Sequence, residues 1–307
     1  MEEVKTPNFF IIGAPKCGTT SLAAWLGEHP NIYMSPIKEP WFFCRDIYQG
    51  IKTWEEYLQL FQNANPKQSR IGEASTSYLF SRVAVPAIEE KFQGASYIVM
   101  VRNPVEMAYS LHEQHMRDFR EDITDFEKAW RMAPERRAGK RVPRNCPNPV
   151  LLDYPSWGKI GEQLERLYSL VRRERVLLLF LDDIKENPRR EYLKVMNFLK
   201  VIDDSRRDFP TYNPAREWRL KTPVKAAQIL RWKAGRLREA IGIKSLGLKW
   251  LVLSYDVLNE ALNARKRPRM PMSTNLRQEL MDFFTQDIRL LEELTDRDLS
   301  VWMDGSR

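Results

Sequence analysis

Between Gly13 and Leu22 the chain reads Gly-Ala-Pro-Lys-Cys-Gly-Thr-Thr-Ser-Leu, a lysine and three hydroxyls set between and just after two glycines. The apolar run Phe9-Phe10-Ile11-Ile12 before it predicts a short strand buried on both faces of a parallel sheet. Thr19, Thr20 and Ser21 offer hydroxyls at the opening of a helix, and Leu22, Ala23, Trp25 and Leu26 give that helix an apolar face. Strand, glycine-bounded loop and helix N-terminus aim backbone N–H groups at one point, and the helix dipole adds its attraction, so the chemistry to expect is phosphate binding. The nucleoside-triphosphatase loop places its lysine directly after the second glycine. Thr19 stands there instead, and Lys16, ahead of Gly18, is placed to reach the far end of a single 5′-phosphate rather than a β/γ pair. A nucleotide kinase or ATPase lacks its Gly-Lys-[Ser/Thr] run here.

Other residues extend the chemistry. Ala95 to Val101 reads as a buried strand, with Arg102-Asn103-Pro104 at its end and Ser110 two turns into the following helix. An arginine and a serine so placed can grip one phosphate between them, which makes a second anion site. Glu73, leaving a short strand in Ile71-Gly72-Glu73-Ala74-Ser75-Thr76-Ser77-Tyr78, is the first candidate for a general base, against a solvated or capping carboxylate. Lys38, Trp41, Phe42 and Phe43 line a ligand cleft or pack as core. His112 and His115 share a helix face, but two histidines without a third ligand make a weak metal site, and no metal is expected. His115 is the second choice for the base and a candidate to touch the acceptor. Cys17, inside the loop, reads as a small packing residue or a thiol activated by the helix end.

These residues need a scaffold of strands joined by helices. Further elements are a strand at Asn31–Met34, a helix over Trp54–Phe61, a helical stripe at Ile160, Leu164, Leu167, Leu170 and Val171, and a strand at Val176–Leu181. Asp182 and Asp183 then cap and turn the chain into a helix at Arg190–Leu199. Residues 117–149, rich in Arg, Asp, Glu and Pro, read as a long irregular insertion, either a lid over the acceptor or a solvated loop. Residues 213–272 are basic, with amphipathic spacing that suits a helical cap, and Leu276 to Leu294 trace a final amphipathic helix. One domain is expected: a core over about 7–116 and 150–212, the insertion at 117–149, the cap at 213–272 and a C-terminal helix at 273–302.

With 307 residues, 43% hydrophobic and 29% charged, the chain can bury a sizeable α/β core. Three cysteines, Cys17, Cys44 and Cys146, form neither a disulfide framework nor a C-x-x-C pattern. No apolar run is long enough to span a bilayer and no signal peptide is visible, so a cytoplasmic protein is expected. A net charge of +8 implies anionic partners. A non-catalytic module binding nucleotide, nucleic acid or a membrane surface would explain that charge, yet leaves the paired phosphate elements without purpose.

Gly13-Ala14-Pro15-Lys16-Cys17-Gly18-Thr19-Thr20-Ser21-Leu22 resembles the 5′-phosphosulfate loop of sulfotransferases that use 3′-phosphoadenosine 5′-phosphosulfate (PAPS). His29-Pro30 and Lys38-Glu39-Pro40-Trp41-Phe42-Phe43 continue the likeness in the style of the bacterial and heparan-sulfate-type members. Val101-Arg102-Asn103-Pro104 with Ala108-Tyr109-Ser110 is similar to the family's 3′-phosphate element, and Glu73-Ala74-Ser75-Thr76-Ser77-Tyr78 to its Glu-x-[Ser/Thr]-x-x-Tyr element. The resemblance implies a P-loop-like three-layer α/β fold, a central parallel sheet flanked by helices, with a helical cap. It implies that Pro15 to Ser21 hold the 5′-phosphate, with Lys16 offsetting charge on the leaving oxygen, and that Arg102 and Ser110 grip the 3′-phosphate. Arg216 and Arg219 are placed like the late basic segment that closes over that phosphate, Lys38 and Trp41 lie beside the sulfuryl group, and Glu73 takes the acceptor's proton. The product nucleotide would be 3′-phosphoadenosine 5′-phosphate (PAP). The acceptor expected is a small natural product, in the manner of bacterial and cyanobacterial tailoring enzymes such as those of saxitoxin-type pathways, with a carbohydrate as the alternative. No nucleic-acid partner is expected, and membrane-surface contact is not favoured.

Overall fold

The computed structural model describes residues 5–212, 216–218, 264–266 and 272–304. Five strands form one sheet in the order β2-β3-β1-β4-β5: β1 (Phe9–Gly13), β2 (Ile32–Met34), β3 (Arg70–Ala74), β4 (Ser96–Val101) and β5 (Val176–Phe180). Every pairing is parallel. Parallel strands need crossovers, and helices supply them: α1 (Thr19–Gly27), α2 (Trp54–Leu58), α3 (Ala84–Lys91), α4 (Pro104–Arg117), α5 (Phe126–Arg137), α6 (Tyr154–Gly158) and α7 (Ile160–Leu170). α8 (Leu181–Glu186), α9 (Pro188–Leu199) and the 22-residue α10 (Thr274–Thr295) follow β5. The expected α/β class is thus the observed one. Phe9, Phe10, Ile11 and Ile12 are all fully enclosed, as a central strand covered on both faces requires.

The strand order places a functional crevice. From β1 the chain crosses to β2 and returns through β3 on one flank, then crosses to β4 on the other. Loops leaving β1 and β4 therefore part in opposite directions at their carboxyl ends, where open α/β sheets take their ligands. Register between β1 and β4 shifts between Ile11 and Gly13, and the Ala14 N–H still reaches the Met100 carbonyl at 2.6 Å. The loop after β1 is in this way tied to the end of β4.

The segment expected to be irregular holds a twelve-residue helix, α5. Asp125 caps it through the Lys128 N–H, and Phe126, Ala129, Trp130, Ala133 and Arg136 are buried along one face. Trp130 meets the rings of Phe283 and Phe284 on α10 edge-on. Arg136, fully enclosed, bonds both oxygens of equally enclosed Glu121, which also accepts from Tyr154 Oη at 2.9 Å. The insertion hides its packing behind a charge: a buried arginine reads as surface until its partner is known.

The chain divides into two compact units, one of residues 1–116, 120–212 and 272–307, the other of 117–119 and 213–271. Of the second, the described part beyond 117–119 is an antiparallel pair, β6 (Arg216–Trp218) with β7 (Ala264–Lys266). The rest of the expected helical cap lies outside the described residues.

Candidate active site

Four loops meet the carboxyl edge of the sheet with the residues the sequence singled out. After β1, Gly13 has φ 154° and its α-carbon faces Leu79 and the Thr76 carbonyl so closely that a Cβ would sit 2.8 Å from the Leu79 Cβ. Gly18 turns into α1 at φ 90°, a left-handed conformation that suits glycine, and no side chain caps the helix it starts. Lys16 also takes a left-handed conformation, φ 64°, strained for a side-chain-bearing residue and typical of functional loops. Pro15, Cys17, Thr19 and Ser21 are buried, while Lys16, Gly18 and Thr20 keep some exposure. The Ser21 hydroxyl accepts from the Tyr212 N–H at 3.0 Å. Burial pushes the Cys17 thiol up to about 12, against the pull of Arg102 and Lys16, so it is a packing residue rather than a nucleophile.

After β4, Arg102 Nη1 donates to the Lys16 carbonyl at 3.3 Å, which joins the two anion-binding elements directly. Its Nη2 donates to Glu106 at 3.4 Å. Ser110 is buried on α4. Farther along that helix His112 Nε2 donates to the Ile123 carbonyl at 2.8 Å, a structural bond. His115 is different. It is 2% exposed, neither ring nitrogen has a hydrogen-bond partner among the described residues, and burial, aided by the charges of Arg120, His112 and Lys16, drops it to about 3. It is a neutral imidazole at physiological pH, with the Leu151 backbone near enough to oppose that drop without reaching bonding geometry.

After β2, the chain runs beside the end of β3: the Ser35 N–H donates to the Gly72 carbonyl and the Glu39 N–H to the Ala74 carbonyl, both at 2.8 Å. Glu39 and Trp41, on either side of Pro40, have φ of 64° and 51°. The Glu39 carboxylate holds this loop together. It accepts from Lys38 Nζ at 2.7 Å, from Trp41 Nε1 at 2.7 Å and from the Thr76 hydroxyl at 3.0 and 3.2 Å. Its side chain remains 22% exposed and that of Lys38 28%. Trp41 stacks on Tyr48 at 4.1 Å, and the Arg120 guanidinium lies 5.5 Å over the Tyr48 ring. Phe42, expected in part as cleft lining, instead stacks on Tyr57 in the core and is buried with Phe43.

Glu73, on β3, pairs in register with Phe10 and shares that strand face. It is wholly enclosed, and neither oxygen makes a hydrogen bond among the described residues. Burial lifts its carboxyl to about 7; the hydroxyls of Tyr57, Tyr78 and Ser75 lie near enough to oppose that rise without reaching bonding geometry, and the charge of Glu39 adds to it. Glu73, the base expected from the sequence, is thus fully enclosed, while Glu39, which sequence reasoning passed over, keeps partial exposure beside Lys38. The signal for Glu39 was its place between Lys38 and Pro40 in the motif already quoted. Asp182 and Asp183, read as capping residues, fasten the C-terminal segment: Asp182 accepts from Trp302 Nε1 at 3.2 Å and Asp183 pairs with Arg297. Arg216 falls in β6, where only the backbone is described, and Arg219 lies outside the described residues.

Comparison with known proteins follows the same outline. The sulfotransferase domain model matches residues 6–208. Human carbohydrate sulfotransferase 15 is 28% identical over 264 residues, covering 68% of this chain and 46% of that protein. Mouse heparan sulfate glucosamine 3-O-sulfotransferase 3B1 is 34% identical over 121 residues, 39% of this chain and 30% of that one. The crystal structure of a sulfotransferase from Alicyclobacillus acidocaldarius superposes with a TM-score of 0.72 at 26% identity, covering 98% of this chain and all of that one. The chain spans less than half the length of these curated relatives. Among the described residues no helix is long and apolar enough to cross a membrane.

Proposed function

The chain belongs to the sulfotransferase family, and on that premise we propose that it moves a sulfuryl group from PAPS to a hydroxyl or an amine or amide nitrogen of a small-molecule acceptor. The observation that carries this reading is the contact of Arg102 with the Lys16 carbonyl at the β1/β4 crevice. Two anion-binding elements that touch across the switch point suit a nucleotide phosphorylated at both its 5′ and 3′ ends. The donor set fits such a ligand: uncapped amides at the start of α1, the ammonium of Lys16, the guanidinium of Arg102 and the hydroxyl of Ser110. PAPS would supply an activated sulfuryl group for in-line displacement. Lys16 and the amides of Gly18, Thr19 and Thr20 would hold the 5′-phosphate and offset the charge that grows on its bridging oxygen. Arg102 and Ser110 would hold the 3′-phosphate.

The acceptor's proton goes to a carboxylate. Glu39 is the candidate that geometry favours, because three donors orient its carboxylate while part of it stays exposed; Glu73 remains the second. Lys38 would pass from Glu39 to a sulfuryl oxygen and Trp41 would flank the acceptor, while His115, enclosed as Glu73 is, would touch it only where the acceptor opens the pocket around it. A carbohydrate acceptor is the second reading, favoured by the stacked Trp41–Tyr48 pair, a flat apolar surface of the kind that takes a sugar ring. A cytoplasmic setting is part of the proposal.

Calorimetric titration with PAP, 5′-AMP and ATP tests the reading. PAP is expected to bind tighter than 5′-AMP, and Arg102→Ala to erase that preference, losing about tenfold or more in PAP affinity. Lys16→Ala is expected to slow turnover roughly a hundredfold. A protein that treats PAP and 5′-AMP alike overturns it.

A further inference from the structure

An acidic side chain stands where a phosphate should be welcome. Glu106 occupies the first turn of α4, four residues after Arg102, and takes one of that guanidinium's donors at 3.4 Å. A carboxylate there both competes for Arg102 and repels an incoming dianion. Its other oxygen is claimed from a distant part of the chain: Arg277 Nη2, in the first turn of α10, donates to Glu106 Oε1 at 2.6 Å. The three side chains are only partly exposed, 14% for Arg102, 28% for Glu106 and 24% for Arg277, so solvent screens their charges incompletely. A second strut joins the same regions, since Asn103 Nδ2 donates to the Trp302 carbonyl at 3.2 Å.

We propose that Arg277 is a positioning residue of the nucleotide site, holding Glu106 so that Arg102 can turn to the 3′-phosphate. The inference rests on the reading of Arg102 as the 3′-phosphate ligand. Among the described residues the short bond lies between Glu106 and Arg277 and the long one between Glu106 and Arg102, so of these two partners the carboxylate favours the one on α10. With Arg277 in place these three side chains sum to one net positive charge; without it the charges of Arg102 and Glu106 cancel and Glu106 closes on Arg102. Selectivity for a 3′-phosphorylated nucleotide is then set partly by the C-terminal helix, far in sequence from both phosphate motifs.

The test is a double-mutant cycle read by calorimetry with PAP and with 5′-AMP, on the full chain. Arg277→Gln is expected to weaken PAP about tenfold and 5′-AMP less than about twofold. Glu106→Gln, which removes the competitor, should leave PAP binding at least as tight as in the wild type. In the double variant Glu106→Gln/Arg277→Gln the loss should largely disappear, which a merely destabilised helix would not produce. Equal weakening of both nucleotides by Arg277→Gln, or no recovery in the double variant, overturns the inference. If the wild type prefers PAP and Arg277→Gln keeps the full preference, this inference alone fails; if the wild type shows no preference, the cofactor reading fails and takes it along.

Discussion

Glu39 and Glu73 differ in what surrounds their oxygens, and under the proposed reaction that difference favours Glu39 as the group that meets the acceptor. Glu39 has Lys38, Trp41 and Thr76 as donors and an open side. Glu73 has no hydrogen bond among the described residues and no exposure, so burial favours its neutral form up to about pH 7. Glu39→Gln is expected to cut kcat roughly a hundredfold while leaving PAP affinity unchanged, because a general base contributes to the barrier and not to nucleotide binding. Glu73→Gln should cost clearly less. Steady-state assays on both variants decide it, and the reverse order would return the proton to Glu73. Lys16, Arg102 and Ser110 could be proposed from spacing because loop-and-helix anion sites are local in sequence. Glu39 was missed because its role depends on Thr76, brought beside it only by β3 lying next to β2.

At the scale of elements, α5 shows how a helix can be hidden. Its apolar stripe is thin, and its fifth core position is Arg136, tolerable inside only because Glu121, Tyr154 and Asp122 meet it. Burial opposes the ionised form of Glu121, but the Arg136 guanidinium prevails and holds its carboxyl below the usual range. Breaking such a pair by removing one partner leaves an uncompensated buried charge. Glu121→Gln is expected to lower unfolding stability by about 3 to 5 kcal/mol, seen as an earlier urea midpoint. A shift below about 1 kcal/mol would mean the pair opens to solvent. The 126–137 segment therefore belongs to the packed body through Trp130 and α10, and any lid over the acceptor must come from its neighbours.

Across the whole molecule, the enclosed Glu73 links stability to pH. Its folded value, about 7, lies above the ordinary 4.5, so the folded state holds the proton more tightly than the unfolded chain. That contribution to stability is fully present below about pH 4.5 and is lost as pH rises through 7. By pH 8 an ionised carboxylate remains inside, at a cost of about 3 kcal/mol. Between pH 4.5 and 8 the stability of Glu73→Gln relative to wild type should therefore improve by up to about that amount, measured by urea unfolding at each pH. A difference that stays flat would show that Glu73 is solvated in the native state. The cost falls at the carboxyl edge of the sheet, where the functional residues gather.

The sequence by itself determined the α/β class, the five strands, the glycine-bounded loop that opens α1 and the C-terminal helix, since each is encoded by residues close together along the chain: an apolar run, a glycine at a turn, a hydroxyl at a helix start. The tertiary structure decided that Glu73 is enclosed while Glu39 keeps an open side, that Phe42 is core, that α5 is packed, and that Arg277 reaches Glu106. Those outcomes depend on the strand order and on the docking of α10, which bring together residues up to 171 positions apart. Burial and charge pairing across such separations have no local signature, because the free energy of a side chain is set by neighbours that only the fold supplies.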